Sequence, residues 1–222
     1  MLYYFLTPFK ETFSAFNLFE YITFRAAFAA ITALVISFII GPWVIHILQK
    51  NQIGEEIRLT GPESHMKKRG TPTMGGVIIL MSVLLPTLLF AKLGNPMIQI
   101  IIVATIWMGI FGFIDDYLKV IKKIEKGLIA RYKMAGQIIL GAIVSLWIFN
   151  TPEFAEFSTK TTVPFLKNVE IDLGMLYPLM VILVITGTSN AVNLTDGLDG
   201  LAAGLLAICF TVFAAIAYIS GR

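Results

Sequence analysis

A chain of 222 residues in which 57% are hydrophobic and only 14% charged does not describe a water-soluble domain. A formal charge of +3, with no basic stripe interleaved with aromatics, gives no reason to expect a nucleic-acid partner. The single cysteine, Cys209, lies inside an apolar run, which excludes a disulfide framework and a zinc site and leaves a buried thiol.

The apolar runs have the length that spans a bilayer, roughly 17–25 residues per helix. The first twenty residues lack a basic start, a short apolar core and a small-residue cleavage site, so no removable signal peptide is expected. Helices are then predicted over 22–48, 75–92, 97–114, 133–149, 174–193 and 200–219. Pro42 and Pro86 fall inside spans, where neighbouring helices can satisfy the freed carbonyls. No repeat or long linker is visible, so the expectation is one all-α, polytopic membrane bundle of about six helices, a single domain over 1–222.

Loop charges orient it. Lys50, Arg58, Lys67, Lys68 and Arg69 separate the first two spans, and Lys119, Lys122, Lys123, Lys126, Arg131 and Lys133 lie between the third and fourth. The connections on the other side are poor in cations, so the basic loops are expected in the cytoplasm and the N-terminus outside. By parity, Asp115 and Asp116, the stretch NAVNLTDGLDG (190–200) and the loop carrying KKRGTPTMGG all emerge on the cytoplasmic side. A site for a polar-headed lipid and a soluble substrate needs such an arrangement.

In FGFIDDYLK (111–119), two carboxylates stand at the predicted cytoplasmic end of a helix, where the macrodipole favours cations. A divalent cation removes that objection, and magnesium suits one or two carboxylates plus substrate phosphates. One acid of the pair could then hold the metal or a proton while the other acts as base. NLTDGLDG is not a calcium loop, since Leu198 occupies the alternate position after Asp196 and no glutamate follows. Asp199 can cap the next helix, but capping leaves Asn190, Asn193 and Asp196 unexplained, and these point to substrate or metal. RGTPTMGG (69–76) has Gly76 where a Walker motif needs lysine, yet the helix start near Gly75 can receive an anion. TGTSN (186–190) adds polar character near the same stretch, and Gly200 with Gly204 is a packing pattern. His46 and His65 form no cluster.

GPESHMKKRGTPTMGG, GFIDDYLKV and NAVNLTDGLDGLA, in this order and at these helix ends, resemble the phospho-N-acetylmuramoyl-pentapeptide transferases, from about Phe19 onward. The DD pair is shared with the wider superfamily of polyprenyl-phosphate sugar-1-phosphate transferases; PESH followed by GTPTMGG favours the muramoyl branch. The resemblance implies a many-helix fold in the bacterial cytoplasmic membrane, an active face in the cytoplasm and a requirement for Mg2+. It implies transfer of phospho-MurNAc-pentapeptide from UDP-MurNAc-pentapeptide to undecaprenyl phosphate, with release of UMP. On the same ground Asp115 is the candidate base with Asp116 beside it, both also candidate metal ligands, and Asp196 joins them in the catalytic centre. Lys68, Thr73, Lys119, Lys133, Asn190, Asn193 and Asp199 are the substrate-binding candidates. The family's pattern continues with further helices, another metal-binding aspartate and a histidine-rich loop, none of them in these 222 residues. The expectation is therefore an N-terminal portion with little or no transferase activity by itself.

Two rival readings use the same residues. One is a GlcNAc-1-phosphate transferase acting on the same lipid; the other is a non-catalytic membrane scaffold. A transporter places ionisable groups near the bilayer midplane, whereas here every Asp and Glu lies at or near a span end. Nothing in the sequence fixes the oligomeric state, a homodimer included.

Overall fold

A computed structural model describes residues 1–50, 73–124, 126–156, 158–163, 166, 169–198 and 200–220. The chain divides into two compact units, Met1–Gly136 and Gln137–Arg222. It is a polytopic membrane helical protein, with five helices among the described residues long and apolar enough to cross a bilayer. The helices are α1 (Leu2–Leu6), α2 (Ile22–Lys50), α3 (Gly76–Phe90), α4 (Pro96–Val120), α5 (Ala130–Asn150), α6 (Tyr177–Thr195) and α7 (Leu201–Ile219).

In the first unit, α2 and α3 pack along each other, and α3 also meets α4. At Gly109 of α4 an added Cβ would come 2.7 Å from Leu80, so the missing side chain sets that approach. α3 is only 15 residues long, shorter than the predicted 75–92. α4 starts on a strong signal: Asn95 accepts a hydrogen bond from the Met97 amide at 2.8 Å, and Pro96 fills the first helical position.

The first twenty residues, which carry no hydrophobic period, fold onto the helix ends. Tyr4 accepts a hydrogen bond from the Gly94 amide at 2.7 Å. The guanidinium of Arg25, itself buried, donates to the carbonyls of Phe19 and Glu20 at 2.7 and 2.8 Å. Those carbonyls close a 3-10 segment, Ser14–Glu20, and would otherwise lack partners.

In the second unit, an antiparallel pair, β1 (Lys160–Thr162) and β2 (Glu170–Asp172), precedes α6, with Thr161 opposite Ile171. Leu140, Val144 and Ser145 form the buried stripe of α5. Gly141 lets α5 approach α6 closely, since a Cβ there would lie 2.8 Å from the Ile182 Cα. The first residue ahead of α7 is Gly200 in a left-handed conformation (φ 79°), with no side-chain cap. The cap expected from Asp199 lies outside the described residues.

Two predicted boundaries move in ways that matter. α4 runs to Val120 rather than ending at 114, so Asp115 and Asp116 lie within the helix and Lys119 occupies its last turn. The dipole objection to carboxylates at a helix end is thereby weakened, because a cation stands closer to the terminus. α6 runs to Thr195 rather than ending at 193, which keeps Asn190 and Asn193 on helix and puts Asp196 at its C-cap.

Candidate active site

The chain's densest charged cluster among the described residues is built on Asp115. Its side chain is 12% exposed and both carboxylate oxygens are engaged. Oδ2 receives Lys119 Nζ and Lys133 Nζ, each at 2.8 Å. Oδ1 accepts the Leu128 amide at 2.8 Å. Lys119 stands four residues on along α4, the spacing at which helical side chains meet, and Lys133 comes from the first turns of α5.

The turn between α4 and α5 supplies the third donor. Lys123 (φ 54°) and Gly127 (φ 56°) both adopt left-handed conformations. At Gly127 this is essential twice over: glycine takes that φ without strain, and a Cβ would lie 2.5 Å from Asp115 Oδ1. Further along α4, Trp107 Nε1 donates to the Gly136 carbonyl at 2.9 Å, and Phe111 occupies the space a Gly136 side chain would need. These contacts fix α5's first turns, and Lys133 with them, against α4.

Asp116 differs from its neighbour. It is half-buried and accepts no hydrogen bond from the described residues. Asp115 thus gathers the cations, while Asp116's oxygens take no hydrogen bond among the described residues. Thr73 has a buried hydroxyl without a hydrogen-bond partner among the described residues, and Met74 beside it holds φ at 68°. Such backbone is costly for a residue with a side chain and clusters at functional sites. Lys68 lies outside the described residues.

The second unit carries Asn190, Asn193 and Asp196. Asn190 is half-buried and donates to the Gln137 Oε1 at 2.9 Å and the Thr186 carbonyl at 2.8 Å. Gln137 in turn donates to Ser189 Oγ at 3.0 Å. Asn193 and Asp196 are exposed, and Asp199 is outside the described residues. Thr186, Asn190 and Asn193 recur at helical spacing, so one face of α6 is polar. No group of three or more His, Cys, Asp or Glu that could hold a metal by itself occurs among the described residues.

Sequence reasoning missed Gly127, Leu128 and Gln137. Gly127 had a signal, a glycine closing a lysine-rich loop. Gln137 had one too, a lone amide in an apolar run. Leu128 acts through its backbone and has none.

Comparison gives the class: the chain belongs to glycosyl transferase family 4, whose model matches residues 98–222. Residues 68–80 match the phospho-N-acetylmuramoyl-pentapeptide-transferase signature 1. The chain is 49% identical, over 222 residues, to the phospho-N-acetylmuramoyl-pentapeptide-transferase of Citrifermentans bemidjiense, covering 100% of this chain and 61% of that protein. It is 48% identical over 224 residues to that of Chlorobaculum parvum, covering 100% of this chain and 61% of the relative. For Endomicrobium trichonymphae the figures are 46% over 222 residues, 100% and 62%. The chain therefore spans about 61% of the length of the curated relatives it matches.

Proposed function

We propose that the chain carries the phosphate-handling part of an enzyme that transfers phospho-MurNAc-pentapeptide from UDP-MurNAc-pentapeptide to undecaprenyl phosphate, releasing UMP. The observation that supports this most directly is the Asp115–Lys119–Lys133 cluster in a chain that bears the family's signature. Phosphoryl transfer between two anions needs positioning and charge neutralisation more than covalent help. Lys119 and Lys133 supply two cations, and Asp115 holds both ammonium groups at one point. Their exposure of 44% and 35% leaves them able to meet a phosphate. Asp116 is the carboxylate with acceptor capacity to spare, suited to take a proton from the lipid phosphate or to ligate a metal.

A magnesium ion fits this donor set only in part. Magnesium is often held by one or two carboxylates plus substrate phosphates. Asp116 offers one such oxygen pair, whereas Asp115 is already committed to three donors. Asp116 is therefore the ligand assigned here, with Asp115 only if it exchanges a lysine. When bound, the ion would neutralise charge on the diphosphate oxygens. On the donor side, Asn190, Asn193 and Asp196, with Lys68, Thr73 and Asp199, are assigned to the nucleotide sugar. The active face is assigned to the cytoplasm, on the basic loops.

The test is magnesium-dependent UMP release by the purified chain in detergent, with undecaprenyl phosphate and UDP-MurNAc-pentapeptide. It is repeated on the chain extended by the C-terminal remainder of the Citrifermentans bemidjiense relative. Release that disappears in Asp116→Asn supports the reading. Silence from both proteins sinks it, and preference for UDP-GlcNAc replaces it with the GlcNAc-1-phosphate reading.

A further inference from the structure

The Gln137–Ser189–Asn190 network has a hydrogen-bond direction that its geometry leaves little freedom to reverse. It starts from the Thr186 carbonyl, which can only accept. The Asn190 side-chain atom 2.8 Å from that oxygen must therefore be the amide nitrogen. The same nitrogen lies 2.9 Å from a side-chain atom of Gln137, which must then be the oxygen. That leaves the Gln137 nitrogen 3.0 Å from Ser189 Oγ, as its donor. Gln137 is only 6% exposed and sits in an apolar helix, where an amide without partners is costly. Both N–H groups of Asn190 are consequently spent inside the protein. What it has left for a ligand is Oδ1, an acceptor.

We infer that Gln137 is a positioning residue that locks the Asn190 amide so that it presents only its carbonyl oxygen, and that Asn190 therefore receives an N–H or O–H of the nucleotide sugar and does not donate to its phosphates. The inference rests on the donor assigned under Proposed function. It divides the labour by chemistry: an acceptor is repelled by phosphate oxygens but suits an imide, amide or hydroxyl.

The experiment uses the purified 222-residue chain in detergent, with side-chain amides labelled with 15N. Two probes are titrated, UDP-MurNAc-pentapeptide and inorganic pyrophosphate. In Gln137→Leu the Asn190 amide signals lose their protection from exchange and the donor Kd rises about tenfold, the effect of one misplaced hydrogen bond. Pyrophosphate binding does not change. Gln137→Glu restores both readouts, because one carboxyl oxygen accepts from Asn190 and the other faces the Ser189 hydroxyl, which can turn to suit. Combining Gln137→Leu with Asn190→Ala weakens binding no further than Asn190→Ala alone, which a merely structural role for Gln137 would not produce.

An equal loss of pyrophosphate affinity would overturn the acceptor assignment. Unchanged Asn190 signals in Gln137→Leu would overturn the positioning role. Failure of the unsubstituted chain to bind the donor counts against the proposed function and removes the ligand assignment, while the amide signals still decide the Gln137–Asn190 arrangement.

Discussion

The cluster around Asp115 and the network around Gln137 solve the same problem, a polar group in an apolar helix, by opposite means. Asp115 is charged, and it is satisfied by two partly exposed lysines and a backbone amide from a turn that needs glycine at 127. Gln137 is neutral, and its side-chain partners among the described residues come from the facing helix. The first arrangement is adjustable, since exposed ammonium groups can exchange Asp115 for a phosphate. The second is directional, since the Thr186 carbonyl fixes which way the Asn190 amide faces and the other partners follow from it. A site that must move charge needs the first; one that must recognise a shape needs the second.

The largest expected effect separates the two members of the acidic pair. Asp116→Asn lowers kcat by about 10²–10⁴, the range of a lost proton-transfer group. Its thermal midpoint does not fall, because no described residue donates a hydrogen bond to Asp116 and the change removes a half-buried charge beside Asp115. Asp115→Asn lowers the midpoint as well as the rate, since it removes the charge that holds Lys119 and Lys133. UMP release and thermal denaturation in detergent, run on both variants, check this. Equal destabilisation by both would erase the distinction drawn between them.

Two glycines, one in each region, come next. At Gly127 an alanine meets two penalties of the same sign. One is the left-handed φ, costing roughly 1–2 kcal/mol; the other is contact with Asp115 Oδ1 at 2.5 Å. At Gly141 the conformation is helical, and alanine gains about 1 kcal/mol in propensity. That gain opposes a clash with the Ile182 Cα at 2.8 Å, backbone that cannot turn aside, costing about 1–3 kcal/mol. Gly127→Ala is therefore the more destabilising, and it also raises the KM for the donor by scattering the lysines. A milder effect from Gly127→Ala in thermal denaturation would show that the turn is not what anchors the carboxylate.

Much of this was legible beforehand, and unequally. The membrane class and the apolar spans follow from hydropathy. Lys133 was named as a substrate residue, but its partnership with Asp115 needs the α4–α5 turn, and that turn depends on two left-handed residues whose φ no period announces. The extension of α4 through Val120 was missed because the charges were read as an end, whereas Asp115, Lys119 and Lys133 neutralise one another within the fold. The direction of the Gln137 network was invisible for another reason: an amide's orientation is set by its neighbours, not by its own identity.

A smaller effect tests the lysines themselves. Lys119→Gln breaks a pair within one helix, worth a few tenths of a kcal/mol at such exposure. Lys133→Gln breaks a link between helices and costs more, though still about 1 kcal/mol or less given that its ammonium is partly in water. Both losses shrink at high salt, where screening has already weakened the wild-type pairs. Denaturation at low and high ionic strength distinguishes them. A salt-independent difference would mean that the alkyl stems, not the charges, make the contact.

The smallest effect concerns a third carboxylate, which shows what hydrogen bonding does without a dominant cation. Asp172 ends β2 outside the spans, and the Thr159 hydroxyl first, then the Gly174 amide at 2.9 Å, hold its carboxyl below the usual carboxylate range. A carboxyl whose folded pKa is depressed adds stability that is present above its unfolded pKa. That stability is lost as the pH falls through the lower, folded value. The hairpin should therefore loosen progressively as the pH falls from the ordinary carboxylate range towards the lower, folded value. Because the cause is short-range hydrogen bonding, with Lys160 the weakest contributor, the titration midpoint should barely move with salt. Following the Asp172 carboxyl by 13C NMR against pH, at low and high ionic strength, reads both points. A midpoint that rises markedly with salt would place Asp172 with Asp115, as a carboxylate governed by its cations.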